Sequence, residues 1–165
     1  MDIRTVGFRY LLLYFIRCNV LFEIMICIVA GVLFSFTKDI VMAVIVPTIF
    51  FVGYILPISI HEYMHVYAMR RSHVQTIEIA NSLWKVSVKT KERIQGRNLI
   101  LVALSGPCVC FLLGILLFVV WKITGIQVIK ITGYLYMIHL INIVPPLGDG
   151  VMIVKGLLTC GDYER

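Results

Sequence analysis

The chain has 165 residues, of which 60 % are hydrophobic and 15 % are charged, whereas ordinary globular proteins average roughly 45–50 % apolar and about 25 % charged residues. This composition excludes a typical soluble domain and indicates an integral membrane protein. The formal net charge is +6, but the basic residues flank apolar segments and form no basic domain, so we expect no nucleic-acid partner.

Four apolar stretches, each long enough to cross a bilayer, follow one another along the chain. They cover residues 19–36, 40–65 with a continuation to about residue 69, 98–121 and 126–146. A shorter apolar stretch, residues 10–16, is followed by Arg17 and by no small-residue cleavage site, so no cleavable signal peptide is expected. This stretch either lies in the membrane interface or extends the first helix, and the sequence leaves both open.

Basic residues are distributed unevenly between the connecting segments. Twelve of the 15 lysines and arginines lie in the N-terminal segment, the loop of residues 70–97 and the C-terminal tail, which share one side of a protein with four spans. The opposite side has only Lys38, Lys122 and Lys130. By the positive-inside rule, we expect both termini and the loop in the cytosol.

The second apolar stretch ends in a motif of ionisable residues, His61-Glu62-Tyr63-Met64-His65. Two histidines four residues apart lie on one face of a helix, about one turn from each other, and can bind one zinc ion. The glutamate between them lies beside the metal, where it can take a proton from bound water. Ionisable residues are unfavourable inside a membrane, so this cluster predicts a functional site. Pro57, one turn earlier, is expected to shape the pocket wall.

The loop after this motif has a pattern of period two, in residues 76–79 and again in residues 84–89. This alternation predicts a small β-hairpin over about residues 74–90, with Asn81 and Ser82 as its turn. Trp84, Val86 and Val88 are expected on one face, against the membrane or the helix bundle.

The hairpin has two possible roles. It either covers the membrane surface or offers an exposed edge strand that pairs with an extended substrate. In the second case Val86 and Ser87 are the expected substrate-binding residues.

The last apolar stretch closes with Asn142 to Gly150, in which two prolines and two glycines surround Asp149. These residues predict a non-helical break, which is tolerated at membrane depth where it lines a polar cavity. Asp149 is the expected third zinc ligand. Its position at the end of a helix that runs toward the cytosol, as the helix of His61 and His65 does, predicts three ligands at similar depth.

Other polar residues in the apolar stretches are assigned to structure. His139 could line the cavity or contact a backbone carbonyl, but we expect a hydrogen-bonded structural histidine, and we expect Glu23 to snorkel or pair. The five cysteines have no ligand-like spacing. Cys108 and Cys110 are therefore interpreted as small packing residues.

The two motifs in this order resemble the site-2 protease family of intramembrane zinc metalloproteases. The resemblance covers about residues 40–155 and rests on His61, Glu62 and His65, on Ser105-Gly106-Pro107, and on Asn142, Pro145, Asp149 and Gly150. The chain differs from the family pattern in three places. It has Gly148 where leucine often precedes the aspartate, a spacing of seven instead of eight from Asn142 to Asp149, and Cys110 where the family often has asparagine.

The resemblance implies one membrane-embedded metalloprotease domain over residues 1–165, with an all-α polytopic fold of about four transmembrane helices and a small cytoplasmic hairpin. It implies one zinc ion on His61, His65 and Asp149, Glu62 as the catalytic base, and Asn142 as a contact to substrate. The implied substrate is a membrane-spanning or membrane-associated peptide, the implied location is a bacterial plasma membrane, and a regulatory or substrate-presenting membrane partner is possible. Three alternatives stay open: a maturation protease for a small secreted signalling or antimicrobial peptide, a catalytically silent scaffold or adaptor, and a metal transporter.

Overall fold

The computed structural model describes residues 1–82 and 85–160. Within these residues it has six α-helices and one two-stranded sheet. A π-helical turn, Phe51–Ile55, joins the helices Ile40–Phe50 and Leu56–Arg71, and a 3-10 helix, Ile138–Ile143, follows the helix Gln127–Met137. The predicted all-α polytopic class with a small hairpin is confirmed. The elements are α1 Phe8–Thr37, α2 Ile40–Phe50, α3 Leu56–Arg71, β1 Glu78–Ser82, β2 Lys85–Lys89, α4 Gly96–Thr124, α5 Gln127–Met137 and α6 Gly148–Cys160.

Four helical segments are long and apolar enough to cross a membrane, among the residues that the structure describes. The first begins at Phe8, so the stretch of residues 10–16 extends α1 and does not form a separate interfacial helix. The expected end of the last span at Pro146 is wrong. Two consecutive prolines interrupt the helix, but the chain resumes it as α6 and places Lys155 in that helix. The four segments are Phe8–Thr37, Ala43–Arg71, Gly96–Thr124 and Gln127–Cys160.

The N-terminal segment is hydrogen-bonded to the loop that follows α3. The amino group of Met1 donates to the Ile77 carbonyl over 2.8 Å, and the Arg70 guanidinium donates to the carbonyls of Ile3 and Val6 over 2.8 Å and 2.6 Å. The hydroxyl of Thr159, near the end of α6, accepts from the backbone N–H of Gly96 over 2.9 Å. The N-terminus, the loop and the end of α6 therefore lie at one end of the bundle, as the charge distribution requires.

The hairpin pairs antiparallel through to its last described residues. Asn81 lies opposite Val86, and Ser82 opposite Lys85, so the expectation that Asn81 and Ser82 form the turn is wrong. Cross-strand pairing outweighs the modest turn preference of these residue types. Trp84 lies outside the described residues.

One face of β2 packs on the helices. Val86 and Val88 belong to the same buried cluster as Val66 and Met69 of α3. The prediction that these valines share one buried face is confirmed. Of the two surfaces considered, the membrane and the helix bundle, they pack against the bundle. The buried face holds the hairpin next to the part of α3 that carries the histidine motif.

Candidate metal centre

Three side chains from two distant parts of the chain converge at the middle of α3. The Nε2 atoms of His61 and His65 are 3.1 Å apart. His61 Nε2 is 3.1 Å from Asp149 Oδ2, and His65 Nε2 is 3.4 Å from Asp149 Oδ1. Both histidines are buried, and the Asp149 side chain is 19 % exposed. The structure thus brings together the three predicted metal ligands.

Close packing of α4 on α3 depends on Gly106. A Cβ atom at this position would lie 2.8 Å from both the His61 carbonyl oxygen and His65 Nε2, which is closer than real side chains approach. A glycine here lets the α4 backbone form one wall of the site. The Ser105-Gly106-Pro107 segment, noted from sequence, therefore lies at the contact between the two helices.

His65 is oriented by the backbone of α4. Its Nδ1 lies 2.7 Å from the Val102 carbonyl oxygen. Because a carbonyl can only accept, Nδ1 carries the proton, and in the neutral ring Nε2 is then the nitrogen with the lone pair that a metal ligand needs. A partner of this kind commonly holds a metal-binding imidazole in place. The Ser105 hydroxyl donates to the same Val102 carbonyl over 2.7 Å.

Asp149 enters the site from the first turn of α6. The expectation of a non-helical position for Asp149 is wrong, because the break covers only the four residues 144–147 and Gly148 begins a new helix. A carboxylate in the first helical turn is favoured by the helix dipole. Gly150 lets this turn fold back on the preceding segment, since a Cβ there would be 2.7 Å from Pro145 N.

Glu62 lies beside the converging ligands and is 6 % exposed. Its Oε2 accepts a hydrogen bond from the backbone N–H of Val88 over 2.8 Å. The candidate base is therefore attached to the hairpin. The sequence predicted Glu62 as the base and predicted the hairpin, but nothing in these residues indicated the hydrogen bond between them.

A cavity of about 1030 Å³ opens beside the three ligands. The predicted substrate-binding residues Asn142, Val86 and Ser87 all line it. The Asn142 side chain makes no hydrogen bond with the described residues, so its amide is available to the cavity. The wall also has apolar residues of the first two spans, among them Phe15, Phe22, Phe50 and Tyr54.

One residue near the ligands was assigned wrongly from the sequence, and a second has neighbours that the sequence did not reveal. His139 was expected to be a hydrogen-bonded structural histidine, but its Nδ1 is buried without a partner among the described residues, and its ring centroid is 5.1 Å from that of His61. Cys110 is buried, as expected of a packing residue, and its Sγ also lies within 4.8 Å of ligand nitrogens of His61 and His139. The sequence could have indicated this position, because Cys110 follows Gly106 by four residues and so lies on the face of α4 that packs against the histidines.

The donor set fits zinc. Two imidazoles and one carboxylate are the protein ligands of catalytic zinc sites that keep a fourth position for water or substrate. The ligand atoms of His61, His65 and Asp149 all lie within 4.8 Å of one another, and Nε2 of His65 points toward the other two ligands. The arrangement can therefore hold a metal ion with Glu62 next to it.

A family model described as "Putative zincin peptidase" matches residues 54–163. The matched region contains the three converging ligands, Glu62 and the hairpin. Zincins are recognised by two histidines and a glutamate in the H-E-x-x-H pattern, which residues 61–65 follow. No curated protein matches the chain, and no solved structure does.

Proposed function

Because the chain belongs to the zincin peptidase family, we propose that it is an intramembrane zinc metalloprotease of the site-2 protease type. One observation carries the proposal. The three ligands and Glu62 meet in helical segments that are long and apolar enough to cross a membrane. A soluble peptidase has no need of such segments around its site.

In this proposal His61, His65 and Asp149 hold one zinc ion. When bound, the ion lowers the pKa of its water toward about 7 and polarises the scissile carbonyl. Glu62 takes the proton of the water and passes it to the leaving amine, a role for which its place beside the ligands is suited. The buried Glu62 also argues against a scaffold with purely structural zinc, because such a site needs no base.

Clustering of the ligands argues against metal transport. Transport requires ligands along a path between the two faces of the membrane, whereas His61, His65 and Asp149 lie within hydrogen-bond or ion-pair distance of one another. Hydrolysis at one fixed point requires only a single site with access for substrate, and the cavity supplies that access.

The outer edge of β2 is the proposed docking strand for substrate. The N–H of Val88 points away from β1, toward Glu62. Because N–H groups alternate along a strand, the N–H of Val86 points the same way and that of Ser87 points toward β1. An extended peptide added to this edge would gain main-chain hydrogen bonds next to Glu62. Such a peptide would also compete with Glu62 for the Val88 N–H, so docking would release the carboxylate.

The substrate class follows from the cavity wall. Its apolar side chains include Phe15 and Phe22 of α1, Phe50 of α2 and Tyr54 of the π-helical turn, and the same cavity reaches the ligands, Asn142 and β2. A peptide that leaves the bilayer can therefore keep apolar side chains against Phe15 and Phe22 while its backbone reaches Asn142 and β2. We propose membrane-spanning or membrane-associated peptides as substrates, either alone or presented by a membrane partner.

The cavity is lined in part by Lys89, Arg93 and Lys155, which belong to the end of the bundle where the N-terminal segment, the loop of residues 70–97 and the end of α6 meet. By the positive-inside rule this end lies in the cytosol, and we propose a bacterial plasma membrane as the location. Cleavage would then release products toward the cytosol.

Metal removal and restoration tests the proposal. Purified protein in detergent is incubated with a peptide that contains an apolar span, before and after treatment with a chelator. Cleavage should stop with the chelator and return with zinc. Cleavage that survives complete removal of metal would refute the proposal.

A further inference from the structure

A second group of possible metal ligands shares His61 with the proposed catalytic set. It consists of His61, Cys110 and His139, whose ligand atoms all lie within 4.8 Å of one another. Cys110 is completely buried. The three residues come from α3, α4 and the 3-10 helix after α5, so the fold brings them together from three separate segments.

Two ring nitrogens in this group have no partner. The Nδ1 atoms of His61 and His139 are both buried and make no hydrogen bond with the described residues. Nearly all buried polar atoms in proteins are hydrogen-bonded, so an exception needs an explanation. His65 shows the contrast, because its Nδ1 is bonded to Val102. His61 belongs to both groups of ligands, and its Nδ1 has no hydrogen bond that would prevent it from binding a metal ion.

The thiol of Cys110 has only a weak contact. Its Sγ donates to the Pro57 carbonyl over 3.4 Å. On binding a metal, the thiol loses its proton to water in the cavity and the sulfur becomes a strong ligand. One thiolate with two imidazoles selects zinc and other thiophilic ions such as cadmium, and disfavours magnesium and calcium.

We propose that His61, Cys110 and His139 form an alternative ligand set, which holds the zinc ion in an inactive position. A neutral His61 imidazole binds one ion through one nitrogen, so the ion occupies either the alternative set or the set with His65 and Asp149. The inference rests on the proposed function in one respect, namely that the second of these positions is the catalytic one. In the alternative set, the ion has lost His65 and Asp149, and Glu62 no longer has an activated water beside it.

Cobalt substitution tests the alternative set. Full-length protein is stripped of metal and given one equivalent of Co²⁺, and its absorption spectrum is recorded. Thiolate-to-cobalt charge transfer gives a near-ultraviolet band that imidazole and carboxylate ligands do not give. We expect this band in the parent protein, a stronger band in Asp149→Asn and loss of the band in Cys110→Ser.

Two further variants control the experiment. Cys108→Ser, two residues away on another side of α4, should keep the band. His139→Gln should weaken it although Cys110 is intact, which keeps the test decisive if Cys110→Ser folds poorly. The absence of the band from both the parent and Asp149→Asn, or its persistence in Cys110→Ser, would overturn the inference.

The absorption band does not depend on peptidase activity. If the band behaves as expected but Cys110→Ser with zinc bound also cleaves no peptide, the result would support the alternative set and refute the proposed function. Cleavage by a protein that shows no band, in the parent or in Asp149→Asn, would support the proposed function and refute the alternative set. Cys110→Ser should also reach half of its maximal cleavage rate at a lower zinc concentration than the parent.

Discussion

Gly106 determines how closely α4 approaches the histidines. Gly106→Ala would place a Cβ 2.8 Å from His65 Nε2 and from the His61 carbonyl oxygen, so the helices must separate. Overpacking of this kind costs about 1–3 kcal/mol, and displaced ligands bind metal more weakly. We expect zinc affinity to fall by about 10- to 100-fold, as it does when groups that support metal ligands are lost. Titration of stripped protein with zinc measures it.

Gly31→Ala is the matched control for Gly106→Ala, because nothing lies within 4 Å of a Cβ at position 31. It should leave zinc affinity unchanged. Equal affinity in Gly106→Ala and in the parent would show that α4 does not constrain the site.

Asp149 is the third ligand in this account. Asp149→Asn replaces a carboxylate with a neutral amide, which is a much poorer zinc ligand, so zinc affinity and cleavage should both fall. Metal analysis and peptide cleavage on the same preparation measure the two effects. The control is Asp39→Asn, since Asp39 caps the start of α2 and accepts from Val41 N. Parental zinc binding together with parental cleavage in Asp149→Asn would assign the third ligand to another residue.

The β-hairpin packs on α3, and we propose that it also docks substrate. Val86→Pro removes an N–H from the outer edge of β2 but none from the ladder with β1, and it should lower cleavage of extended peptides. Lys89→Gln changes only an exposed charge and should cleave at about the parental rate. Zinc content of each variant shows whether its site is intact. Parental cleavage by Val86→Pro with zinc bound would leave the hairpin as a surface cover.

The segment before the hairpin is anchored by Glu92. Hydrogen bonds from the Thr76 hydroxyl, the Thr76 N–H and the Gln75 N–H lower the pKa of the Glu92 carboxyl below its usual value of 4.5. A carboxyl with a lowered pKa stabilises the fold at pH values above its ordinary pKa, and the contribution is lost as the pH falls through the lowered value. We therefore expect amide exchange at Gln75 and Thr76 to become faster in acid relative to the intrinsic exchange rate at the same pH.

Glu92→Gln should show this faster exchange already at neutral pH. Exchange at Leu99, in α4, should stay the same in the variant and serves as the internal reference. Unchanged exchange at Gln75 and Thr76 would show that Glu92 does not hold the segment.

In the molecule as a whole, the sequence predicted what depends on local pattern. Apolar length predicted four spans, and the spacing of His61 and His65 predicted a shared helix face. The structure also brings Asp149 to them, although it lies 84 positions after His65 in the chain. What escaped prediction depends on tertiary contacts, such as the bond from Val88 to Glu62 and the approach of Cys110 and His139 to His61.

The last span also depends on tertiary contacts that local sequence patterns do not predict. The Pro145-Pro146 pair correctly predicted a break, but propensity alone could not show that a new helix begins at Gly148. That helix packs on α4, a contact that only the folded chain supplies. The pairing of Asn81 and Ser82 within β1 has the same origin, since the partner strand outweighed their local preference.

The central claim is that a zinc site with Glu62 as its base hydrolyses peptide bonds within the membrane. Glu62→Gln removes the proton acceptor and touches none of the three ligands. In purified protein, the variant should keep the zinc content of the parent and lose about 10²- to 10⁴-fold in cleavage of a membrane-embedded peptide. Cleavage at about the parental rate, with zinc content unchanged, would contradict the account.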